Sequence, residues 1–143
     1  MPVWGSWQLY ALGSAFFAAL TALFGKIGVS EINSNLATFI RTVVILGVIG
    51  TVVSFNRQWQ KLDSLSSHGV LFLVLSAFAT GLSWLCYYRA LQLGPVSKVA
   101  PVDKLSVALA MVLGVVFLKE ALSWKALVAG ALVLSGAVLM VFA

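Results

Sequence analysis

Three charged side chains sit where a charge is costly: Arg41, Asp103 and Lys104 all lie within or at the edge of long apolar runs. An arginine at the centre of a membrane helix is unfavourable by roughly 2.5–3.5 kcal/mol, and by less near an end. Arg41 therefore either stretches to the headgroups or faces a protein interior and meets a carboxylate or another anionic group. Thr38 and Thr42 share its side of a helix. Asp103 falls on one stripe with Ser106, Ala110 and Gly114. There it either caps a helix start, where the dipole favours a carboxylate, or acts as a charge partner. Lys104 or Arg89 can neutralise it. Trp84 and Tyr88 are four residues apart, hence on one helical face, with Tyr87 and Gln92 nearby. Such aromatics form an interfacial belt or the wall of a cavity suited to stacking and cation–π contacts.

Nothing in the chain reads as a catalytic centre. A nucleophile needs a base beside it, and the sequence offers no such pairing. The single histidine, His68, stands at the edge of an apolar run, where a solvated or headgroup-contacting role suits it. No His/Cys cluster has metal-ligand spacing, and no Gly-rich phosphate loop occurs. No cofactor is expected.

The elements that must position these residues meet in residues 87–106, which hold Gly94-Pro95, Pro101 and five charged or amide side chains. Proline lacks an N–H and pushes the residue before it out of the α region, so Gly94-Pro95 ends a helix. Ser97 can cap the next one. Pro101 then lies about a turn inside that helix and frees a backbone carbonyl. A polar, loosened helix start in an apolar protein lines a cavity or a protein contact.

Composition sets the solvent. The chain is 62% hydrophobic and only 9% charged, against roughly 25% charged in soluble domains, so it belongs in lipid as one domain. Its lone cysteine, Cys86, excludes an internal disulfide and reads as a small hydrophobe. Nine basic residues give a net charge of +5, but they are scattered singly. That excludes a nucleic-acid stripe and fits anionic headgroups. The first 24 residues lack a basic start and run too long for a signal sequence, so they are expected to stay as a span.

Five spans follow, near 7–24, 36–55, 69–91, 98–118 and 124–142, each close to the roughly 20 residues a crossing requires. Trp4, Trp7 and Tyr10 anchor the first, which Gly25-Lys26 closes, and Asn33 or Ser34 caps the second. Arg57, Trp59, Lys61 and Asp63 form a polar connection, and Lys119, Glu120 and Ser123 a second one. Small residues recur every four positions at Ser14, Ala18, Ala22 and at Ser106, Ala110, Gly114; Ala77 and Gly81 do so in span three. Such faces let helices approach closely in lipid. Gly130 and Gly136 suit internal packing or a dimer contact.

With the N-terminus inside, that side receives Arg57, Lys61, Lys119 and Lys125, and the other Lys26, Arg89 and Lys98. Lys/Arg asymmetry normally fixes orientation. So slight a difference permits insertion both ways round, and hence an antiparallel homodimer.

Tyr88-Arg89-Ala90-Leu91 with Gly94-Pro95, the run Pro101-Val102-Asp103-Lys104-Leu105-Ser106, Lys119-Glu120, and Gly130 with Gly136 together resemble the EamA domain of the drug/metabolite transporter superfamily. Lys26 and Arg41 also stand where such domains carry basic residues. The resemblance covers the whole chain, 1–143, and rests on the order and spacing of these features. It implies an all-α membrane protein whose five helices form one repeat, where family members commonly carry two of opposite topology. A lone repeat must then meet an upside-down copy, or an oppositely oriented homologous half, to make ten helices. The function implied is secondary transport of a small-molecule substrate across the cytoplasmic (inner) membrane by alternating access. Arg41 and Lys104 would take anionic groups, Trp84 and Tyr88 the walls, Asp103 the charge partner, and Gly94, Pro95 and Pro101 the gate. Small multidrug-resistance exporters are similar in size but use a glutamate in the first span, and span one here has no acid. Asp103 remains as a group that could titrate. A half-size flippase for a lipid-linked sugar and a non-transporting scaffold subunit are the alternatives.

Overall fold

The computed structural model describes residues 6–61 and 64–142. Trp4 and Asp63, read above as an anchor and a loop residue, lie outside them. Six helices run in order: α1 (Ser6–Val29), α2 (Ser34–Phe55), α3 (Ser67–Leu93), α4 (Val96–Asp103), α5 (Leu105–Leu118) and α6 (Trp124–Phe142). Five stretches are long and apolar enough to cross a membrane, with α4 and α5 together making the fourth, Val96–Leu118. The chain is an all-helical, multi-pass membrane protein.

Helix ends follow local chemistry. The α1 helix continues past Gly25-Lys26 to Val29. Lys26 is accommodated because its Nζ donates to the Leu91 carbonyl at 2.6 Å. Asn33 caps α2, its side chain accepting from the Asn35 N–H at 2.9 Å. Pro95, not Ser97, begins α4: its backbone is extended, and its carbonyl accepts from the Lys98 and Val99 N–H groups at 3.1 and 3.0 Å. Ser97 lies inside the helix because the proline ring already fixes the entry geometry and supplies the first acceptor.

Span four breaks at Lys104. Pro101 has no N–H to offer the Ser97 carbonyl one turn back. The next turn tightens, with the Lys104 N–H donating to Pro101 O and the Val107 N–H to Lys104 O, both three residues apart and both at 3.0 Å. The helix then resumes as α5, which ends on Lys119 in the left-handed conformation at φ 56°. At the other loop, Ser123 opens α6 by accepting from the Ala126 N–H with its hydroxyl.

The chain divides into two compact units, Phe24–Gln92 and Met1–Leu23 with Leu93–Ala143. In the first, Val29, Ser34, Thr38, Tyr88 and Leu91 are buried. They gather at one end, where α1 finishes, α2 starts and α3 finishes. Elsewhere large apolar side chains such as Leu46 and Leu73 stand exposed, as lipid-facing residues must. In the second unit α6 packs on both α4 and α5. Gly130 makes the close approach, since a Cβ there would fall 2.6 Å from Met111 Sδ, while Gly136 faces open space. Gly130 therefore serves internal packing. Of the two small-residue stripes, only the last members, Ala22 and Gly114, are buried.

Candidate functional site

The buried end of the unit Phe24–Gln92 carries its polar chemistry. Arg41 lies seven residues into α2 (41 − 34 = 7), about 10 Å along the axis at ~1.5 Å per residue. Its side chain lies against α3, with the guanidinium carbon 3.9 Å from the centre of the Trp84 ring and 5.4 Å from that of Tyr88. Trp84 and Tyr88 can both reach it because residues four apart share a helical face. Arg41 is half-buried, and its Nη1 is shut off from solvent with no hydrogen-bond acceptor among the described residues. A side chain reaching for headgroups would hold its nitrogens open, whereas Nη1 here is closed off.

Neighbouring groups hold the arrangement without competing for it. Thr38 and Thr42 point their hydroxyls back along α2, donating to the Ser34 and Thr38 carbonyls at 2.8 Å each. Tyr88 is only 4% exposed and seats its hydroxyl against Gly25, where a Cβ would come within 3.1 Å of Oη and 3.3 Å of Cζ. The Arg89 Nη1 donates to Gln92 Oε1 at 2.6 Å, and the Gln92 Nε2 donates in turn to the Val29 carbonyl at 3.3 Å. With Lys26 on Leu91 O, these bonds join the ends of α1 and α3 and satisfy carbonyls that a helix terminus leaves without donors.

Energies say this is an unfinished site. A cation–π contact is worth about 0.5–2 kcal/mol, at the upper end when desolvated. Placing an arginine in a membrane helix costs roughly 2.5–3.5 kcal/mol at mid-span and less nearer an end, and donors left unmade are part of that cost. Stacking alone does not balance it; an acceptor for Arg41 would.

The sequence puts Trp84 and Tyr88 on one helical face and assigns Arg41 to the same pathway, and the fold stacks the Arg41 guanidinium on both rings. Asp103 and Lys104 lie in the other unit, at the α4–α5 break. They face each other at 3.4 Å with side chains 37% and 53% exposed, a surface pair worth at most about 1 kcal/mol. Arg89 bonds Gln92 within its own unit. Gly94 and Pro95 form the α3–α4 turn, and Pro101 precedes the break. Gly25 was not singled out for the site. A glycine beside a lysine in an apolar run reads as a helix end, and its role as the seat of Tyr88 depends on contacts 63 residues apart (88 − 25 = 63).

Each unit also carries a groove. One, of about 540 Å³, lies between α2 and α3 and is lined almost wholly by apolar groups such as Phe39, Phe78 and Leu82. The other, of about 390 Å³, lies between α5 and α6. Neither includes Arg41, and both are suited to acyl chains.

The profile of the EamA-like transporter family matches residues 5–142. The chain belongs to the EamA-like transporter family. A protein of Sinorhizobium sp. described as an uncharacterized transporter in the cobO 3′ region is 52% identical over 135 residues, which cover 94% of this chain and 96% of that protein. No solved structure matches the chain. Membership and this similarity point to membrane transport rather than catalysis, and the five apolar spans are those of one EamA repeat.

Proposed function

We propose that this EamA chain is a secondary transporter of small metabolites or amphipathic organic compounds, working by alternating access as an antiparallel homodimer in the cytoplasmic (inner) membrane. The observation that carries the reading is Arg41, stacked on Trp84 and Tyr88 inside a membrane span with its buried Nη1 unsatisfied. A scaffold subunit has no need of such a group, and a substrate does. In transporters built from inverted repeats, sites of this kind lie near the midplane where the repeats meet. The near balance of four basic residues against three supports insertion both ways round. The exposed small residues Ser14, Ala18, Ser106 and Ala110 offer surfaces on which a second copy can pack closely. The break at Lys104 supplies a hinge for the gate, with Gly94 and Pro95 at its base.

The test is the location of the C-terminus in intact cells, read with a reporter active on one side of the membrane and another active on the other. Signal from both reporters is expected. A C-terminus found on one side only removes the self-paired antiparallel dimer and leaves an oppositely oriented homologous half as the required partner.

A further inference from the structure

We infer that the Arg41 site takes an organic monocarboxylate and refuses organic cations. The inference rests on the transport reading for what the binding accomplishes, but not for the binding itself. Aromatic faces in a membrane cavity ordinarily suggest a cationic guest. Here those faces are already occupied: the Arg41 guanidinium lies 3.9 Å from the Trp84 ring centre and within 5.4 Å of that of Tyr88. A second cation would meet like charge in a poorly screened setting. The group the site lacks is an acceptor.

The chain does not supply one among its described residues. Of four acids in the sequence, Asp103 faces Lys104. Glu120 folds over Gly114, its Oε2 2.9 Å from where a Cβ would stand. Glu31 is in the exposed α1–α2 turn. No carboxylate lies within 4 Å of Arg41 among the described residues. The planar fork of the guanidinium matches a two-oxygen anion and can hold it with paired N–H donors.

Charge count narrows the class further. The other cations within this unit's helices are engaged, Lys26 with the Leu91 carbonyl and Arg89 with Gln92. Each copy of the chain contributes one Arg41, and each guanidinium neutralises one negative charge. A phosphate monoester, carrying about −1.5 to −2 at neutral pH, would keep charge without a partner in an apolar setting, which is strongly unfavourable. A monocarboxylate leaves none. The faces beside the guanidinium are the Trp84 and Tyr88 rings, and they suit a ligand whose body is apolar.

Binding is measured on the full chain purified in dodecyl maltoside, which contains no phosphate, and flux is measured separately after reconstitution in phosphatidylcholine vesicles. The probes are the straight-chain carboxylates from acetate to decanoate with benzoate and hippurate, the matching amides, and benzyltrimethylammonium. Carboxylates with an apolar body are expected to bind at least tenfold more tightly than their amides, and the ammonium not to bind. Arg41→Gln is expected to lose that preference and to gain affinity for benzyltrimethylammonium, because the Trp84 and Tyr88 faces are then vacant. A purely structural arginine would not produce that exchange. Arg41→Lys, which keeps the charge but not the fork, is expected to retain part of the carboxylate affinity and keeps the test decisive if the glutamine variant does not fold. Equal binding of amides, binding of the ammonium by the unaltered protein, or no binding of any carboxylate overturns the proposal. So does a saturable response to added phosphatidylglycerol with none to carboxylates, which would put a lipid phosphate at Arg41. Flux measured in the vesicles separates the two readings. Retained carboxylate binding with no flux of any probe removes transport and leaves the anion site, whereas flux of the ammonium with carboxylates refused does the reverse.

Discussion

At the scale of single residues, the site depends on Gly25 as much as on the charged group. The hydroxyl end of Tyr88 packs against residue 25, where a Cβ would crowd it. Gly25→Ala puts a Cβ about 3.1 Å from the hydroxyl, so a buried ring must shift by a few tenths of an ångström. Gly25→Val asks for more, and overpacking of this sort costs about 1–3 kcal/mol. Carboxylate affinity is expected to fall in the order Gly, Ala, Val, several-fold at the alanine step with little change in melting temperature. Binding titrations beside thermal melts would show this, and unchanged affinity in both variants would detach Tyr88 from the site. The types of Arg41, Trp84 and Tyr88 were legible in the sequence, because a charge or aromatic cluster in an apolar run is conspicuous. The contact of Arg41 with the two rings was not, since 43 residues separate Arg41 from Trp84 (84 − 41 = 43) and only the packing of α2 on α3 closes that gap. The glycine gave no sign at all: an absent side chain has no periodicity to read.

At the scale of elements, the spans were readable because lipid demands long apolar helices and little else. Their ends were less so. Pro95 rather than Ser97 opens α4, since a fixed φ and a free carbonyl outweigh a capping hydroxyl two residues on. Pro101 announced a disturbance, yet the helix yields at Lys104, where two consecutive bonds shorten to three-residue spacing. Pro101→Ala restores the missing donor. A proline inside a helix is about 3 kcal/mol less favourable than alanine, part of which the kink already relieves, so the variant is expected to melt higher. It is also expected to carry substrate several-fold more slowly, with binding at Arg41 unchanged because that group belongs to the other unit. Melting curves and vesicle flux on the same preparation check both halves. Faster or equal flux would mean that the break at Lys104 is not the gate.

At the scale of the whole molecule, the permanent charge of Arg41 has an electrical consequence. A guanidinium does not give up its proton under any physiological condition, so this group cannot itself shuttle protons. Empty, each Arg41 site bears one positive charge; holding a monocarboxylate, it bears none. A membrane potential is worth about 2.3 kcal/mol per elementary charge per 100 mV, and it acts on the form that carries charge. The vacant carrier's return across the bilayer is therefore the voltage-dependent half of the cycle, and the loaded crossing is electrically silent. Carboxylate exchange, in which every crossing is loaded, is expected to be indifferent to an imposed potassium-diffusion potential, while net carboxylate movement is expected to respond to it. Isotope exchange and net uptake in the same vesicles would tell the two apart, and a voltage-sensitive exchange would place a second charge in the pathway.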